Sequence, residues 1–180
     1  MMGRLIAVVG PSGVGKDTLI RALSDARPDL YEVRRVITRP TDETEACLSV
    51  TSGEFRRLQE AGAFALSWGA HGLSYGVPIE AVERVRAGQD VIANLSRALL
   101  PVAIGVFPRV LILSLSAAPE VLAERLGARG REEGAEITRR LARAVPPMPD
   151  EAEVVHIDNG GPLEVSLTAA LSALSQNDTA

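Results

Sequence analysis

Apolar and polar positions divide the chain into strands and helices that take turns. RLIAVVG, Arg4 to Gly10, is a short β-branched run that ends in glycine. KDTLIRALSDA, Lys16 to Ala26, repeats its apolar residues Leu19, Ile20 and Leu23 at helical spacing. EVRRVIT, Glu32 to Thr38, predicts a second strand, and the polar stretch 39–50 a loop. That loop ends in TSGE, where Thr51 and Glu54 have the spacing of a capping box for a helix over EFRRLQEAG. FALSW, Phe64 to Trp68, is strand-like and runs into the glycine-rich GAHGLSYG. Pro78 opens a helix, PIEAVERVRAG, that stops at Gly88. DVIANL and RVLILSL have strand length, APEVLAERLGARG and AEITRRLARA are helical, and a strand EVVHID and helix GPLEVSLTAALSAL close the chain.

Strands that alternate with helices predict an α/β fold, a mostly parallel sheet covered on both faces. At 180 residues, one domain with a proper core suffices. The longest apolar stretch, Ala98 to Leu115, is broken by Pro101, Pro108 and Arg109. A membrane span needs about 20 uninterrupted apolar residues, so this stretch reads as a short helix, a turn and a buried strand. MMGRLIAVVG leads straight into the glycine loop with too short an apolar run for a signal peptide. The single cysteine, Cys47, cannot form an internal disulfide, which makes a reducing, cytoplasmic setting the expectation. A formal charge of −4 argues against a nucleic-acid partner.

GPSGVGKDTL meets the phosphate-loop pattern G-x-x-x-x-G-K-[ST] at Gly10, Gly15 and Lys16, but Asp17 stands where the hydroxyl belongs. Lying between a strand and a helix, the backbone of Gly10, Pro11, Ser12, Gly13, Val14, Gly15, Lys16, Asp17 and Thr18 can turn its N–H groups and the helix N-terminus toward phosphates. Composition sharpens the point. Of 19 basic residues 18 are arginine, and the one lysine is Lys16. An ammonium reaches phosphate oxygens as a compact point charge, which a planar guanidinium cannot imitate there.

Most arginines are solvated surface charges, yet two groups stand out. Arg34, Arg35 and Arg39 lie on a strand end and its exit, while Arg125, Arg129, Arg131, Arg139 and Arg140 surround a glycine hinge. Two cationic groups suit two phosphorylated ligands, since phosphoryl transfer is catalysed mainly by positioning and charge neutralisation. An arginine-rich lid would also exclude water. His71 and His156 lack metal-ligand spacing, so no zinc site is expected. His71 in HGLSYG is a candidate substrate contact. Trp68 and Tyr75 read as packing residues, with the Tyr75 hydroxyl available to a phosphate. Cys47 reads as neutral, in a polar loop without a nearby partner.

GPSGVGK, ITRP, SGEF, HGLSYGVP and ERLGARG…RRLARA together resemble, in that order, the guanylate-kinase-like branch of the P-loop kinases. The resemblance implies a kinase domain over 1–180: an ATP-holding core at about 1–33, 77–126 and 144–180, an acceptor-binding segment at about 34–76 and a lid at about 127–143. It implies that Arg39 holds the acceptor phosphate, and that Arg125, Arg129 and Arg140 clamp the donor and transferring phosphates. Guanylate kinases read guanine and its phosphate with serine, arginine, tyrosine, glutamate and aspartate. In the corresponding register this chain has Arg35 for the serine, Asp42 for the second arginine, about Leu48 for the tyrosine and Ser67 for the glutamate. Without those paired polar groups guanine has no reader, and Arg35 suits an acceptor with more phosphate and no base.

With GKDTL, HGLSYGVP and NLSRALLP, the chain more narrowly resembles the ribose 1,5-bisphosphate phosphokinases. That implies transfer from ATP, with Mg²⁺, to a small sugar bisphosphate, and places Arg35, Arg39, His71, Tyr75, Asn94 and Arg97 on the acceptor side. The acidic residue that guanylate kinases carry near the end of the DVIANLS strand is absent, its register holding Asn94 and Ser96. Asp17 either restores that carboxylate as a Mg²⁺ ligand, with Thr18 supplying a hydroxyl, or places a favourable negative charge at the helix N-terminus. A guanylate kinase with an altered pocket and a non-catalytic binding module are the competing readings. The sequence leaves oligomeric state open, a homodimer included.

Overall fold

In a computed structural model, which describes residues 2–39, 47–70, 72–128 and 146–176, the strands form two sheets. β1 (Leu5–Val9), β2 (Tyr31–Glu32), β7 (Val91–Asn94), β8 (Val110–Ser116) and β9 (Glu153–Asp158) make a five-stranded sheet in the order β2-β7-β1-β8-β9. Every pairing in it is parallel. β3 (Arg35–Ile37), β4 (Cys47–Ser49), β5 (Phe64–Ala70) and β6 (Leu73–Pro78) make a second, mixed sheet in the order β4-β3-β6-β5.

Period-two alternation explains how the parallel sheet is sandwiched. Leu5, Ala7 and Val9 of β1 point to one apolar cluster, together with α3 (Glu80–Arg86), α4 (Leu100–Val106) and the buried Leu66 and Val77 of the second sheet. Ile6 and Val8 point to the other, with α1 (Lys16–Ala26), α5 (Pro119–Ala128) and α6 (Leu163–Gln176). The buried residues of α1 are Leu19, Ile20 and Leu23, as their spacing requires. The apolar stretch 98–115 resolves into a short turn, α4 with Pro101 in its first turn, and β8. No helix of the described residues is long and apolar enough to cross a membrane.

Two expectations change. EVRRVIT is not one strand: β2 stops at Glu32, Val33 still donates to Ile92 O, and β3 begins in the other sheet at Arg35. A parallel strand is buried on both faces, which the pair Arg34–Arg35 cannot tolerate, so the chain leaves the core sheet there. The glycine-rich GAHGLSYG supplies the ends of the antiparallel β5–β6 pair, in which Trp68 faces Tyr75 and Ala70 faces Leu73. Pro78 ends β6 rather than opening α3, whose N-cap is Ile79.

The second sheet also has two distinct faces. α2 (Ser52–Glu60) lies on one of them, its buried Phe55 stacked on Phe64 with ring centroids 4.7 Å apart. The Phe64 ring crosses Gly76 so closely that a Cβ there would sit 2.6 Å from it. The predicted capping box starts α2: Glu54 N–H donates to Thr51 Oγ1, and Thr51 N–H donates to Glu54 Oε2. Those Thr51 hydrogen bonds hold the Glu54 carboxyl below its ordinary range.

Candidate active site

At the carboxyl edge of the parallel sheet, where open α/β sheets hold their ligands, the chain gathers the phosphate loop, Asn94, Arg97 and Arg125. Gly10–Gly15 joins β1 to α1, and Gly15 is the N-cap of α1 with φ 94°. A Cβ at Gly15 would meet Asn159 Nδ2 at 2.8 Å, so both conformation and space demand glycine. Lys16 folds back over the loop. Its Nζ donates to Gly10 O at 2.9 Å and Pro11 O at 3.1 Å. A cation is thus stationed at the mouth of a helix N-terminus, where anions are favoured.

Asp17 and Thr18 follow in the first turn of α1, both exposed. Asp17 does not cap the helix, which has no side-chain cap. Instead its Oδ1 accepts from Asn94 Nδ2 at 2.8 Å. Asn94 ends β7 in register with Val8 of β1. The side chains at the end of β7 and in the first turn of α1 therefore meet at the carboxyl edge of the sheet. Arg97 stands in the turn after β7, and its Nη2 approaches Ser114 Oγ of β8 at 3.5 Å.

Arg125 on α5 points inward to the loop itself. Its Nη1 donates to Asn159 O at 2.9 Å and Val14 O at 3.3 Å. Asn159, just after β9, is 5% exposed. Its Nδ2 donates to Val14 O at 2.7 Å, its N–H to Ser116 O at 2.8 Å, and its Oδ1 accepts from the Ser166 hydroxyl. Neither Asn159 nor Ser166 was among the sequence candidates. IDNGG reads as an ordinary turn, and nothing local in it signals that one amide is buried against another loop.

A second group lies on the second sheet. By alternation, Arg35, Ile37, Cys47, Tyr75 and Trp68 share one face, and Val36, Leu48, Gly76 and Ser67 the other. On the first face Trp68 stacks on Tyr75 at 5.2 Å, and the Arg35 guanidinium lies 5.9 Å from the Tyr75 centroid. Cys47 sits in strand β4, not in a loop, and Arg35 Nη2 approaches its Sγ at 3.9 Å. Cys47 has partners, contrary to the sequence expectation. Arg39 follows β3, and its carbonyl accepts from the Ser49 hydroxyl. The two positions in register with base-reading tyrosine and glutamate face the other way: Leu48 pairs with Val36 and is exposed, and Ser67 is engaged by Gln59 Nε2 at 3.0 Å.

His71, Arg129, Arg140, Asp42, nearly all of the expected lid and the helix expected over AEITRRLARA lie outside the described residues. Among the described residues no group of three or more His, Cys, Asp or Glu is gathered for a metal ion.

No protein-family model matches the sequence. Curated proteins do. The chain is 50% identical over 171 residues to the "Ribose 1,5-bisphosphate phosphokinase PhnN" of Ruegeria sp. (strain TM1040), covering 93% of this chain and 90% of that one. To the protein of the same name from Agrobacterium fabrum (strain C58 / ATCC 33970) it is 42% identical over 177 residues, covering 96% and 97%. Among solved structures, a guanylate kinase from Anaplasma phagocytophilum superposes with a TM-score of 0.70 at 18% identity, over 98% of this chain and 86% of that one. At that identity the likeness shows the fold alone: an α/β kinase fold of the guanylate-kinase type.

Proposed function

The chain belongs to the family of the ribose 1,5-bisphosphate phosphokinases, and from that premise we propose that it transfers the γ-phosphoryl group of ATP to ribose 1,5-bisphosphate, giving 5-phosphoribosyl 1-diphosphate and ADP. The observation that carries the reading is the formed phosphate loop, with Lys16 Nζ held on the Gly10 and Pro11 carbonyls at the N-terminus of α1.

An oxygen of the acceptor's 1-phosphate attacks the γ-phosphorus in line, an O–P bond forms, and the bond to the β–γ bridging oxygen breaks. A phosphate monoester is already largely dianionic at neutral pH, its second pKa being about 6, so no strong general base is needed. Lys16 leaves its two carbonyls for the β- and γ-phosphate oxygens. Backbone N–H groups of the loop hold the donor, and Arg35 and Arg39 hold the acceptor's phosphates. Arg97 and Asn94 line the edge between the two, with Tyr75 and His71 on the acceptor side. Arg129 and Arg140 supply the lid cations. The expectation that Arg125 clamps phosphate is refined: its bonds to Val14 O and Asn159 O support a role beneath the loop. ³¹P NMR with Mg²⁺, ATP and either ribose 1,5-bisphosphate or GMP tests the reading. A new diphosphate signal is expected with the sugar bisphosphate, and phosphorylation of GMP instead would overturn it.

The donors at the mouth of the loop fit Mg²⁺. Asp17 and Thr18 are hard oxygen donors, and Mg²⁺ takes one or two carboxylates beside substrate phosphates and waters rather than a full protein cage. Asp17 and Thr18 would hold the ion, which would supply neutralisation of the charge developing on the transferring phosphoryl group. Asn94 holds Asp17 Oδ1, which fixes the rotamer of this exposed carboxylate. Asp17→Asn keeps an oxygen for Asn94 and removes the charge. The Mg²⁺ concentration for half-maximal turnover is expected to rise about tenfold, one lost charge-assisted contact. An unchanged Mg²⁺ titration would leave Asp17 as a favourable charge on the helix dipole and nothing more.

A further inference from the structure

Asn159 belongs to no part of the mechanism above, yet it is a buried polar side chain whose Nδ2 is on the phosphate loop and whose Oδ1 is engaged by α6. We propose that Asn159 is a positioning residue that sets the direction of the Gly15 N–H, with Ser166 holding its amide and Arg125 assisting. The inference rests on the reading of Gly10–Thr18 as a phosphate site.

A peptide group is planar and trans, so the carbonyl of Val14 and the N–H of Gly15 point in opposite directions from one rigid unit. Two donors converge on that carbonyl, Asn159 Nδ2 at 2.7 Å and Arg125 Nη1 at 3.3 Å. Pulling the carbonyl inward turns the Gly15 N–H outward, and that N–H meets no acceptor among the described residues. Gly15 in the left-handed conformation then makes the concave arrangement of N–H groups that receives an anion.

Fixing the carbonyl requires that the amide of Asn159 cannot turn over. Val14 O can only accept, which keeps Nδ2 on its side, and the hydroxyl of Ser166, 1% exposed on α6 and also 3.0 Å from Leu163 O, packs against Asn159 Oδ1 on the other. The Asn159 backbone is anchored as well, its N–H on Ser116 O at the end of β8 and its carbonyl under Arg125. β8, β9, α5 and α6 thus all act on one peptide unit of the loop. A network serving only packing would not need two donors on one loop carbonyl, nor such close approach to Gly15.

The test is binding of inorganic tripolyphosphate, which has the donor's phosphates without base or sugar. Calorimetry measures its affinity, and the ¹H–¹⁵N resonance of Gly15 reports the N–H directly. In the wild type, saturation is expected to move the Gly15 amide proton downfield. In Asn159→Ala the affinity is expected to fall about tenfold, the worth of one buried hydrogen bond, and the Gly15 shift to shrink by about half or more at saturation. Ser166→Ala, a gentler change in a helix, is expected to move both readouts in the same direction by about a third as much in affinity. It keeps the proposal testable should Asn159→Ala fold poorly. Wild-type affinity and an unaltered Gly15 shift in a folded variant would overturn the role of Asn159. Absence of tripolyphosphate binding in the wild type would overturn the phosphate-site reading itself.

Discussion

Replacing Lys16 by arginine is expected to lower kcat about 10²–10³-fold, as far as replacing it by methionine does, the usual cost of losing one preorganised donor at a developing charge. The expectation follows from geometry. Nζ sits between two carbonyls, Gly10 O and Pro11 O, at 2.9 and 3.1 Å, a seat suited to a tetrahedral ammonium. A guanidinium spreads its donors over a plane and a longer reach, so it cannot occupy that seat or exchange it for phosphate oxygens without displacing the loop. In the free protein the ammonium already has two carbonyl acceptors, which offset part of its gain on ground-state ATP. The ammonium gains on the transferring group, which implies loss in kcat with ATP KM changed only a few-fold. Steady-state kinetics of Lys16→Arg and Lys16→Met decide. An arginine variant retaining a third of the wild-type kcat would make this chain's solitary lysine an accident of composition.

What the sequence made legible was the chemistry that depends on local order. The phosphate loop, the helix behind it, the capping box at Thr51 and Glu54, and the strand–loop–helix context all follow from spacing along a few residues. The helix–turn–strand reading of Ala98–Leu115 succeeded because Pro101 and Pro108 mark its joints. The failures involve partners distant in sequence. Val33 continues the core sheet and Arg35 begins another, a switch hidden inside one run of strand-like letters. The strand read over FALSW runs on through Gly69 and Ala70 into GAHGLSYG, where the glycines obscure its period of two. Cys47 was read as solitary because Arg35 is twelve residues away and one strand across. Asn159 was missed for the same reason: its target, Val14, is 145 residues earlier.

The acceptor end gives the second large effect. Arg35→Ser is expected to raise the KM for ribose 1,5-bisphosphate about 10- to 150-fold with ATP KM unmoved, the equivalent of about 1.5–3 kcal/mol for a hydrogen bond to a charged group. Among the described residues Arg35 has no carboxylate partner; a thiol at 3.9 Å and the Tyr75 ring at 5.9 Å are all that hold it. A half-buried cation with no carboxylate partner among the described residues is available to an anionic ligand, and the Trp68–Tyr75 stack forms the aromatic surface beside it. The substitution also restores the serine that guanylate kinases carry in this register, which makes it a test of selectivity. Serine alone should not create a guanylate kinase. Leu48 is turned to the opposite face with Val36, and Ser67 is taken up by Gln59, so no polar pair is waiting for a guanine edge. Initial-rate kinetics with both acceptors separate the possibilities. GMP turnover that stays at least about 10³-fold below that of the sugar bisphosphate in the wild type, and gains little in Arg35→Ser, fits a face built for phosphate without base. An unmoved acceptor KM would remove Arg35 from the site, and a variant that phosphorylates GMP efficiently would mean that base recognition had survived and only its phosphate contact had been altered.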